Sequence, residues 1–159
     1  MGNPPLSAKD IKRVEILLSL YEMMLRIRKT ELKIGEVFAN GEIPGFVHLS
    51  IGQEAVAAGV MSALVLEDTI ASNHRGHGHT IAKGINLGSF LLEIMGKNDG
   101  ICKGRGGSMH VADLSIGMLG ANGIVGAGIP IALGSALAHK TLQRKAISVV
   151  FFGDGAAAE

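Results

Sequence analysis

The sequence predicts an α/β fold in which helices flank a parallel sheet. Residues 146–152 form an apolar run of strand length without a charged residue, as expected of a strand buried in a parallel sheet. The run leads directly into Gly153-Asp154-Gly155 and a row of alanines. A strand, a tight turn and a helix start in this order form the phosphate-binding corner of open α/β sheets. Glycine supplies 23 of the 159 residues, which indicates close approach of the backbone to a ligand or another segment at many points.

The chain is predicted to begin with a long amphipathic helix, which accounts for most of residues 1–40. Ser7 and Asp10 have the spacing of a capping box, with aspartate in the place that glutamate usually takes. The apolar residues that follow recur at helical spacing, namely Ile11, Val14, Leu18, Tyr21 and Leu25. We expect this helix to run from about residue 8 to residue 39 and to end at the turn of residues 40–45.

Shorter elements are predicted for the middle of the chain. Residues 46–50 should form a short extended segment, and the alanines that follow it favour a close-packed helix that reaches residue 66. A strand is expected over residues 68–72, followed by a histidine-rich loop and by a helix over residues 87–95. Residues 96–123 contain many glycines and are expected to form one long loop, a kind of segment that is usually functional or disordered.

The last part of the chain is predicted to supply one helix and the apolar strand. Pro130 can occupy the first turn of a helix that continues to about residue 142. Because residues 124–138 are almost entirely apolar, we expect that helix to be buried. The stretch is shorter than the ~18 residues that a membrane-spanning helix needs. Neither a repeat nor a linker is visible, which indicates a single domain.

Charge and cysteine content argue against several classes of function. Fifteen Lys and Arg residues against fourteen Asp and Glu residues give a formal charge of +1, so the chain lacks the basic field of a nucleic-acid-binding protein. The single cysteine, Cys102, cannot form an internal disulfide, and nothing near it argues for a reactive thiolate. The start of the chain lacks the basic-then-apolar order of a signal peptide. We therefore expect a cytoplasmic protein that binds neither nucleic acid nor membranes.

Asp154 and a histidine-rich segment are the first candidates for a site. A carboxylate between two glycines at a strand end could hold a Mg²⁺ ion that bridges phosphate oxygens, or it could be a turn residue that caps the next helix. His74, His77 and His79 have a spacing that a zinc site could use, but the cation of Arg75 would repel a metal. Imidazoles and a guanidinium suit diphosphate oxygens and proton transfer. We favour phosphate or substrate contact, with a solvated polar loop as the alternative.

Two glycine-rich segments fail to match the common nucleotide-binding patterns. Residues 104–110 resemble an anion-binding nest, but Lys103 precedes the glycines, so the segment is not the triphosphate-binding P-loop. Residues 120–128 do not contain G-x-G-x-x-G, and the loop predicted before them is not the strand that a dinucleotide fold requires. His48 is flanked by apolar residues and, taken alone, is interpreted as a structural histidine.

Five segments, taken in order, resemble one family: GFVHLSIGQEA (45–55), HRGHGHTIAKG (74–84), KGRGGSMH (103–110), GANGIVGAGIPIALG (120–134) and FFGDGAAAE (151–159). It is the alpha subunit of the thiamine-diphosphate-dependent dehydrogenase component of 2-oxo-acid dehydrogenase complexes. The histidine-rich segment looks most like the acetoin dehydrogenase branch, because many pyruvate-type members have tyrosine in place of His74. The resemblance implies a thiamine-diphosphate-binding fold, of which residues 1–159 would be the amino-terminal part of a single domain.

The resemblance implies that one group of residues holds the charged end of the cofactor. Asp154 would ligate the Mg²⁺ of thiamine diphosphate, and Gly155 and Ala156 would offer backbone groups to the diphosphate. Arg75 would pair with the phosphates, and His74 would stand where a tyrosine does the same in many relatives.

A second group is implied at the reactive end of the cofactor. The backbone of Gly123 and Val125 would grip the aminopyrimidine ring and help to bend the cofactor. Phe46 and His48 would lie near the cofactor and the reaction centre, and His48 and His77 are the candidate catalytic residues.

The implied reaction is carbanion catalysis, in which the cofactor attacks a carbonyl, a carbon–carbon bond breaks and the cofactor ring stores the electrons. Acetoin would release acetaldehyde, and pyruvate would release carbon dioxide. The acetyl-level fragment would pass to lipoamide on an acyltransferase core. The glutamate that activates the cofactor belongs to the beta subunit in this family, so an α2β2 assembly is implied.

We therefore expect the alpha subunit of an acetoin-cleaving enzyme. Pyruvate and branched-chain 2-oxo acids are the alternative substrates, and a non-catalytic remnant that keeps a subunit interface is the alternative of another class. Ala158 departs from the family, since many relatives have asparagine or serine there. The family's second metal-ligating asparagine falls beyond Glu159, so we expect the chain to be part of a longer subunit and inactive by itself.

Overall fold

The computed structural model describes residues 7–159, in which helices flank a three-stranded parallel sheet with the strand order β2-β1-β3. The strands are β1 (Thr69–Ala71), β2 (Met118–Gly120) and β3 (Ser148–Val150). The helices are α1 (Ala8–Ala39), α2 (Glu54–Met61), α3 (His77–Lys83), α4 (Leu87–Ile94) and α5 (Gly128–Thr141). Short 3-10 turns cover Leu114–Ile116 and Gly155–Ala158. The predicted α/β class with a parallel sheet is confirmed.

Helix α1 begins where the capping box predicts. The Ser7 hydroxyl accepts the backbone N–H of Asp10 at 3.2 Å and donates to the Asp10 carboxylate, which satisfies one of the unpaired amides of the first turn. The helix ends at Ala39, as predicted, while the part of the 1–40 segment before residue 7 lies outside the described residues. Only Ile27, Glu31 and Ile34 of this helix are buried, on the side that packs against α2 and α3.

Two clusters of apolar side chains form the core. The larger joins α1, α2, α3 and α4 and contains Ile27, Ile34, Ile43, Ala57, Ile81, Ile85, Phe90, Ile94 and Val111. The smaller belongs to the sheet and contains Ile70, Met118, Ala121 and Phe151. The segments that follow the strands therefore start from a well-packed sheet.

The middle of the chain departs from the predictions in three places. Helix α2 ends at Met61 rather than at residue 66, and the histidine-rich loop is wrong in part, because helix α3 begins at His77. The predicted loop over residues 96–123 is wrong in part, because Met118–Gly120 pairs with β1 as strand β2. This strand has only three residues; it follows Gly117 and ends at Gly120, and both glycines have positive φ. A strand therefore does precede residues 120–128, although they still lack the dinucleotide pattern.

Helix α5 was predicted to be buried, and this is wrong for one of its faces. Its buried residues, Gly128, Ala132 and His139, recur at helical spacing on the side that packs against β1 and β3. On the face formed by Ile129, Leu133 and Leu137 the apolar side chains are exposed, and Ile131 is exposed at the other flank of the buried strip. The apolar run over residues 146–152 predicted a buried strand, but β3 pairs only with β1 among the described residues and is half-buried. None of the helices within residues 7–159 combines the length and the apolar character that a membrane crossing needs.

Candidate functional site

A cleft of about 650 Å³ opens at the carboxyl ends of β1 and β3. Neighbouring parallel strands end on the same side of a sheet, so the segments that follow them meet there. Residues 72–75 follow β1 and residues 151–156 follow β3, and both segments line the cleft. The remaining lining residues come from the region of α2, from His79 in α3, from the end of β3, and from the start of α5 with the segment before it. This is the place where open α/β sheets bind ligands.

Asp154 presents a carboxylate that nothing in the described residues holds. It occupies the N-cap position of the 3-10 turn Gly155–Ala158, but its side chain makes no capping hydrogen bond. A side chain added at Gly153 or Gly155 would find no heavy atom within 4 Å of its Cβ, so the space beside the carboxylate is open. The Ala156 N–H already donates to the Gly153 carbonyl at 3.1 Å. The Asp154 oxygens are accordingly available to a cation, whereas the Ala156 amide is engaged.

Arg75 lies at the start of the turn that leads into α3. One of its guanidinium N–H groups donates to the Leu49 carbonyl at 2.6 Å, and its backbone N–H donates to Asn73 Oδ1 at 2.9 Å. A guanidinium has five N–H donors. The bond to Leu49 therefore orients the side chain and leaves other donors for an anion in the cleft.

His74 and His48 form an edge-to-face pair beside the cleft. Their ring centroids are 5.1 Å apart and the ring planes meet at 81°. Burial, followed by the nearby His48 and Arg75, lowers the pKa of His74 from its ordinary value. His74 is therefore a neutral imidazole at pH 7 and lines the cleft, whereas His48 is not a lining residue.

The structure places His77 in a buried network away from the residues that line the cleft. Its Nδ1 lies 3.1 Å from Glu31 Oε1, and its Nε2 lies 2.8 Å from Ser108 Oγ. The Ser50 hydroxyl donates to the same Glu31 oxygen at 2.7 Å. His77 is 1% exposed, so the network ties α1 to α3 and to the segments around residues 50 and 108. The catalytic role predicted for His77 stays a prediction.

His79, which the sequence offers as a member of the histidine-rich segment and not as a cofactor-binding residue, lines the cleft. Its ring stacks on Phe151 with centroids 3.8 Å apart, and its Nδ1 lies 2.7 Å from the Ser72 hydroxyl. Burial lowers the pKa of His79 to about 4. His77 and His79 are two positions apart in α3, and side chains at that spacing point to different sides of a helix. Each of the three histidines, His74 included, thus has its own partners, and the rings do not converge as a zinc site requires.

The other predicted site residues divide into those that line the cleft and those that do not. Val125 lines it, whereas Gly123 lies two residues earlier, with its N–H directed at His110 Nε2 over 3.4 Å. Phe46 is 74% exposed and outside the lining. The cleft thus brings together six of the predicted cofactor-binding residues, which are His74, Arg75, Val125, Asp154, Gly155 and Ala156. Ser72 and Asn73 were missed, although their place directly after β1 is a signal that could have found them.

Comparison with known proteins points to one family. The family model described as dehydrogenase E1 component matches residues 22–159. The alpha subunit of acetoin:2,6-dichlorophenolindophenol oxidoreductase from Bacillus subtilis (strain 168) is 59% identical over 142 residues, which cover 89% of this chain and 43% of the relative. Its counterpart from Cupriavidus necator is 51% identical, with the same coverage of 89% and 43%.

A pyruvate dehydrogenase subunit is also similar to this chain. The mitochondrial E1 component subunit alpha of Schizosaccharomyces pombe is 44% identical over 140 residues, which cover 88% of this chain and 34% of the relative. The chain spans less than half the length of all three relatives.

Proposed function

The chain belongs to the dehydrogenase E1 component family, and from this membership we propose that its cleft holds the diphosphate end of thiamine diphosphate. When bound, this cofactor supplies a carbanion that attacks a carbonyl carbon and an electron sink for the bond that breaks. The proposal is supported by the meeting, in one cleft, of the uncapped carboxylate of Asp154 and the guanidinium of Arg75.

The residues of the cleft fit a magnesium diphosphate group. Mg²⁺ is usually held by one or two carboxylates together with phosphate oxygens and water, and Asp154 offers such a carboxylate. Among residues 7–159 no group of three or more His, Cys, Asp or Glu side chains could hold a metal ion. Arg75 lines the same cleft and would offer the phosphates a positive charge and hydrogen-bond donors.

Other lining residues shape the cleft. The ring of His79, which burial keeps uncharged, stacks on Phe151, and both line the cleft. Val125 is expected to hold the aminopyrimidine part of the cofactor through its backbone, together with Gly123. His48 is expected to hold or move a proton near the reaction centre, with His74 as its neighbour at 5.1 Å.

We propose acetoin as the substrate of the complete enzyme and lipoamide as the acceptor of the acetyl-level fragment. The two acetoin-type alpha subunits are 59% and 51% identical to this chain, against 44% for the pyruvate dehydrogenase subunit. A beta subunit, in an α2β2 assembly, and a lipoyl acyltransferase core are the partners that this activity requires. Pyruvate and branched-chain 2-oxo acids are the alternative substrates.

A second candidate function is that of a non-catalytic subunit that keeps only an interface. The exposed apolar face of α5 favours it, since Leu133 and Leu137 are 69% and 62% exposed among the described residues. An interface of this kind is equally needed by the catalytic enzyme. Cofactor binding therefore separates the two candidates.

The test is a calorimetric titration of thiamine diphosphate into the assembled alpha and beta subunits with and without Mg²⁺. Asp154→Ala should lower the Mg²⁺-dependent affinity at least about 100-fold, because the ion loses a carboxylate while the diphosphate charge stays unneutralised. Asp99→Ala, at an exposed position outside the cleft, is the matched control and should bind like the wild type. Unchanged affinity of Asp154→Ala would return Gly153-Asp154-Gly155 to the interpretation of a plain turn.

A further inference from the structure

Glu93 is a buried carboxylate whose hydrogen-bond partners are all backbone amides. It lies in α4 and is 0% exposed. Its Oε2 accepts the N–H groups of Cys102 at 2.7 Å and Gly104 at 2.8 Å, and its Oε1 accepts those of Gly106 at 2.7 Å and Gly107 at 3.1 Å. Burial by itself would raise the pKa of Glu93, but these N–H groups outweigh it and hold the pKa below the usual value.

The glycine-rich segment folds around this carboxylate. A Cβ at Gly100 would lie 2.5 Å from the Glu93 Cα, and a Cβ at Gly104 or Gly106 would meet backbone atoms at 2.6 Å or 2.5 Å. Only residues without a side chain allow so close an approach. The anion-binding nest expected from the sequence therefore exists, but the anion that it holds is the chain's own Glu93.

The far end of the same segment contacts two parts of the site. The Ser108 hydroxyl lies 2.8 Å from Nε2 of His77, which anchors the segment to α3. His110 Nε2 accepts the Gly123 N–H at 3.4 Å. Gly123 leads directly into Ile124 and Val125, which line the cleft. A continuous path of contacts therefore runs from Glu93 to the rim of the cleft.

We propose that Glu93 is a positioning residue for cofactor binding: it is the internal anion that folds residues 102–107 and so places His110 against the Gly123 turn. This inference rests on the proposed function, because it assigns the cleft to thiamine diphosphate. Glu93 touches no lining residue of the cleft through its carboxylate and acts only through the segment that it folds.

The carboxylate is needed because each of its oxygens serves two amides. A glutamine at position 93 has the same shape but only one oxygen. Its NH2 group would face two N–H donors and leave them buried without an acceptor. Glu93→Gln thus removes half of the nest without creating a cavity.

The first measurement is hydrogen exchange of the assembled alpha and beta subunits, which reports on the segment without any cofactor. In the wild type, the amides of Cys102, Gly104, Gly106 and Gly107 should be protected, and in Glu93→Gln at least one pair should lose protection about 100-fold. The second measurement is calorimetry with thiamine diphosphate and Mg²⁺. Glu93→Gln should raise the dissociation constant about tenfold, while kcat at saturating cofactor changes less than about twofold.

Two further variants keep the test decisive. Glu36→Gln, at an exposed position of α1 that pairs with Lys33, should match the wild type in both measurements. His110→Ala leaves the nest intact and removes only the last contact to Gly123, so it should raise the dissociation constant in the same direction even if Glu93→Gln fails to fold.

The outcomes distinguish this inference from the proposed function. Loss of amide protection in Glu93→Gln with unchanged cofactor affinity, or unchanged affinity in His110→Ala, overturns the positioning role while leaving the proposed function intact. A wild-type assembly that protects the amides but does not bind thiamine diphosphate overturns the proposed function, and the positioning role with it.

Discussion

At the scale of single residues, burial decides which side chains of the cleft carry charge. His79 has a pKa of about 4, and the pKa of His74 is also lowered, so both rings are neutral at pH 7. Arg75 is then the cationic group among the described lining residues. The positive charge that an anion would meet in the cleft therefore comes from the guanidinium of Arg75 and from any cation that Asp154 binds.

The depressed pKa of His79 predicts a pH-dependent stability. The unfolded chain binds a proton at this histidine near the ordinary pKa of 6.5, whereas the folded protein does so only near 4. The free energy of unfolding is therefore unaffected by His79 above pH 6.5. As the pH falls from 6.5 to 4, it decreases by at most about 3 kcal/mol, because the unfolded chain takes up the proton first. His79→Phe keeps the stacking on Phe151 and removes the titration. In urea unfolding at about pH 7.5 and about pH 5, the variant should lose less stability than the wild type, and equal losses would contradict the prediction.

At the scale of elements, Gly76 sets how closely α3 approaches the end of β1. It is the N-cap of α3. A Cβ at this position would lie 2.9 Å from Ser72 Oγ, 3.0 Å from the Ala121 Cβ and 3.0 Å from the Asn73 carbonyl oxygen. Ser72 and Asn73 line the cleft, so the close approach of α3 that Gly76 allows also affects the shape of the site.

Gly76→Ala should therefore destabilise the protein and weaken cofactor binding together. Overpacking of this kind costs roughly 1–3 kcal/mol. It would also displace the segment after β1, whose His74 and Arg75 line the cleft. Gly59→Ala is the matched control, since Gly59 lies in α2 and its Cβ would meet no heavy atom within 4 Å. The control should be as stable as the wild type or up to about 1 kcal/mol more stable. Thermal unfolding and thiamine diphosphate titration of both variants provide the comparison.

At the scale of the whole molecule, α5 leaves apolar side chains exposed and β3 is half-buried among the described residues. Exposed apolar side chains that lie next to one another mark interaction surfaces. We predict that Leu133→Lys weakens the association of the alpha and beta subunits at least about tenfold, measured by analytical ultracentrifugation. Leu114→Lys, at a 74% exposed position on a 3-10 turn, should leave association unchanged. Equal association of both variants would contradict the prediction that α5 lies in the subunit interface.

Substrate preference is a property to be measured on the assembled enzyme. Acetoin is neutral and pyruvate is an anion, and the neutral His74 adds no positive charge that would favour the anion. One charge-assisted contact changes selectivity by roughly 10-fold or more. We therefore predict a higher kcat/KM for acetoin than for pyruvate, measured by dye reduction with saturating thiamine diphosphate and Mg²⁺. A clear preference for pyruvate would refute acetoin as the substrate without affecting the cofactor assignment.

The sequence by itself determined the features that depend on neighbouring residues. The Ser7 cap, the long helix α1, the strand β1 and the helix α4 follow from spacing and local hydrogen bonds, and each is where the pattern predicts it. His74, Arg75 and Asp154 each follow a predicted strand, but their meeting at one cleft depends on β1 and β3 being neighbours, which the tertiary structure decided.

Only the tertiary structure decided the features that depend on distant segments. The three residues of β2 become a strand because β1 lies beside them. His77 and His79 lie in different surroundings, because helix α3 turns one toward Glu31 and the other toward Phe151. The partner of the glycine-rich nest, Glu93, lies in the preceding helix. Hydrophobic periodicity shows which residues can be buried. Which segments cover them depends on long-range packing. Helix α5 is apolar on most sides, but the described residues cover only one of its faces.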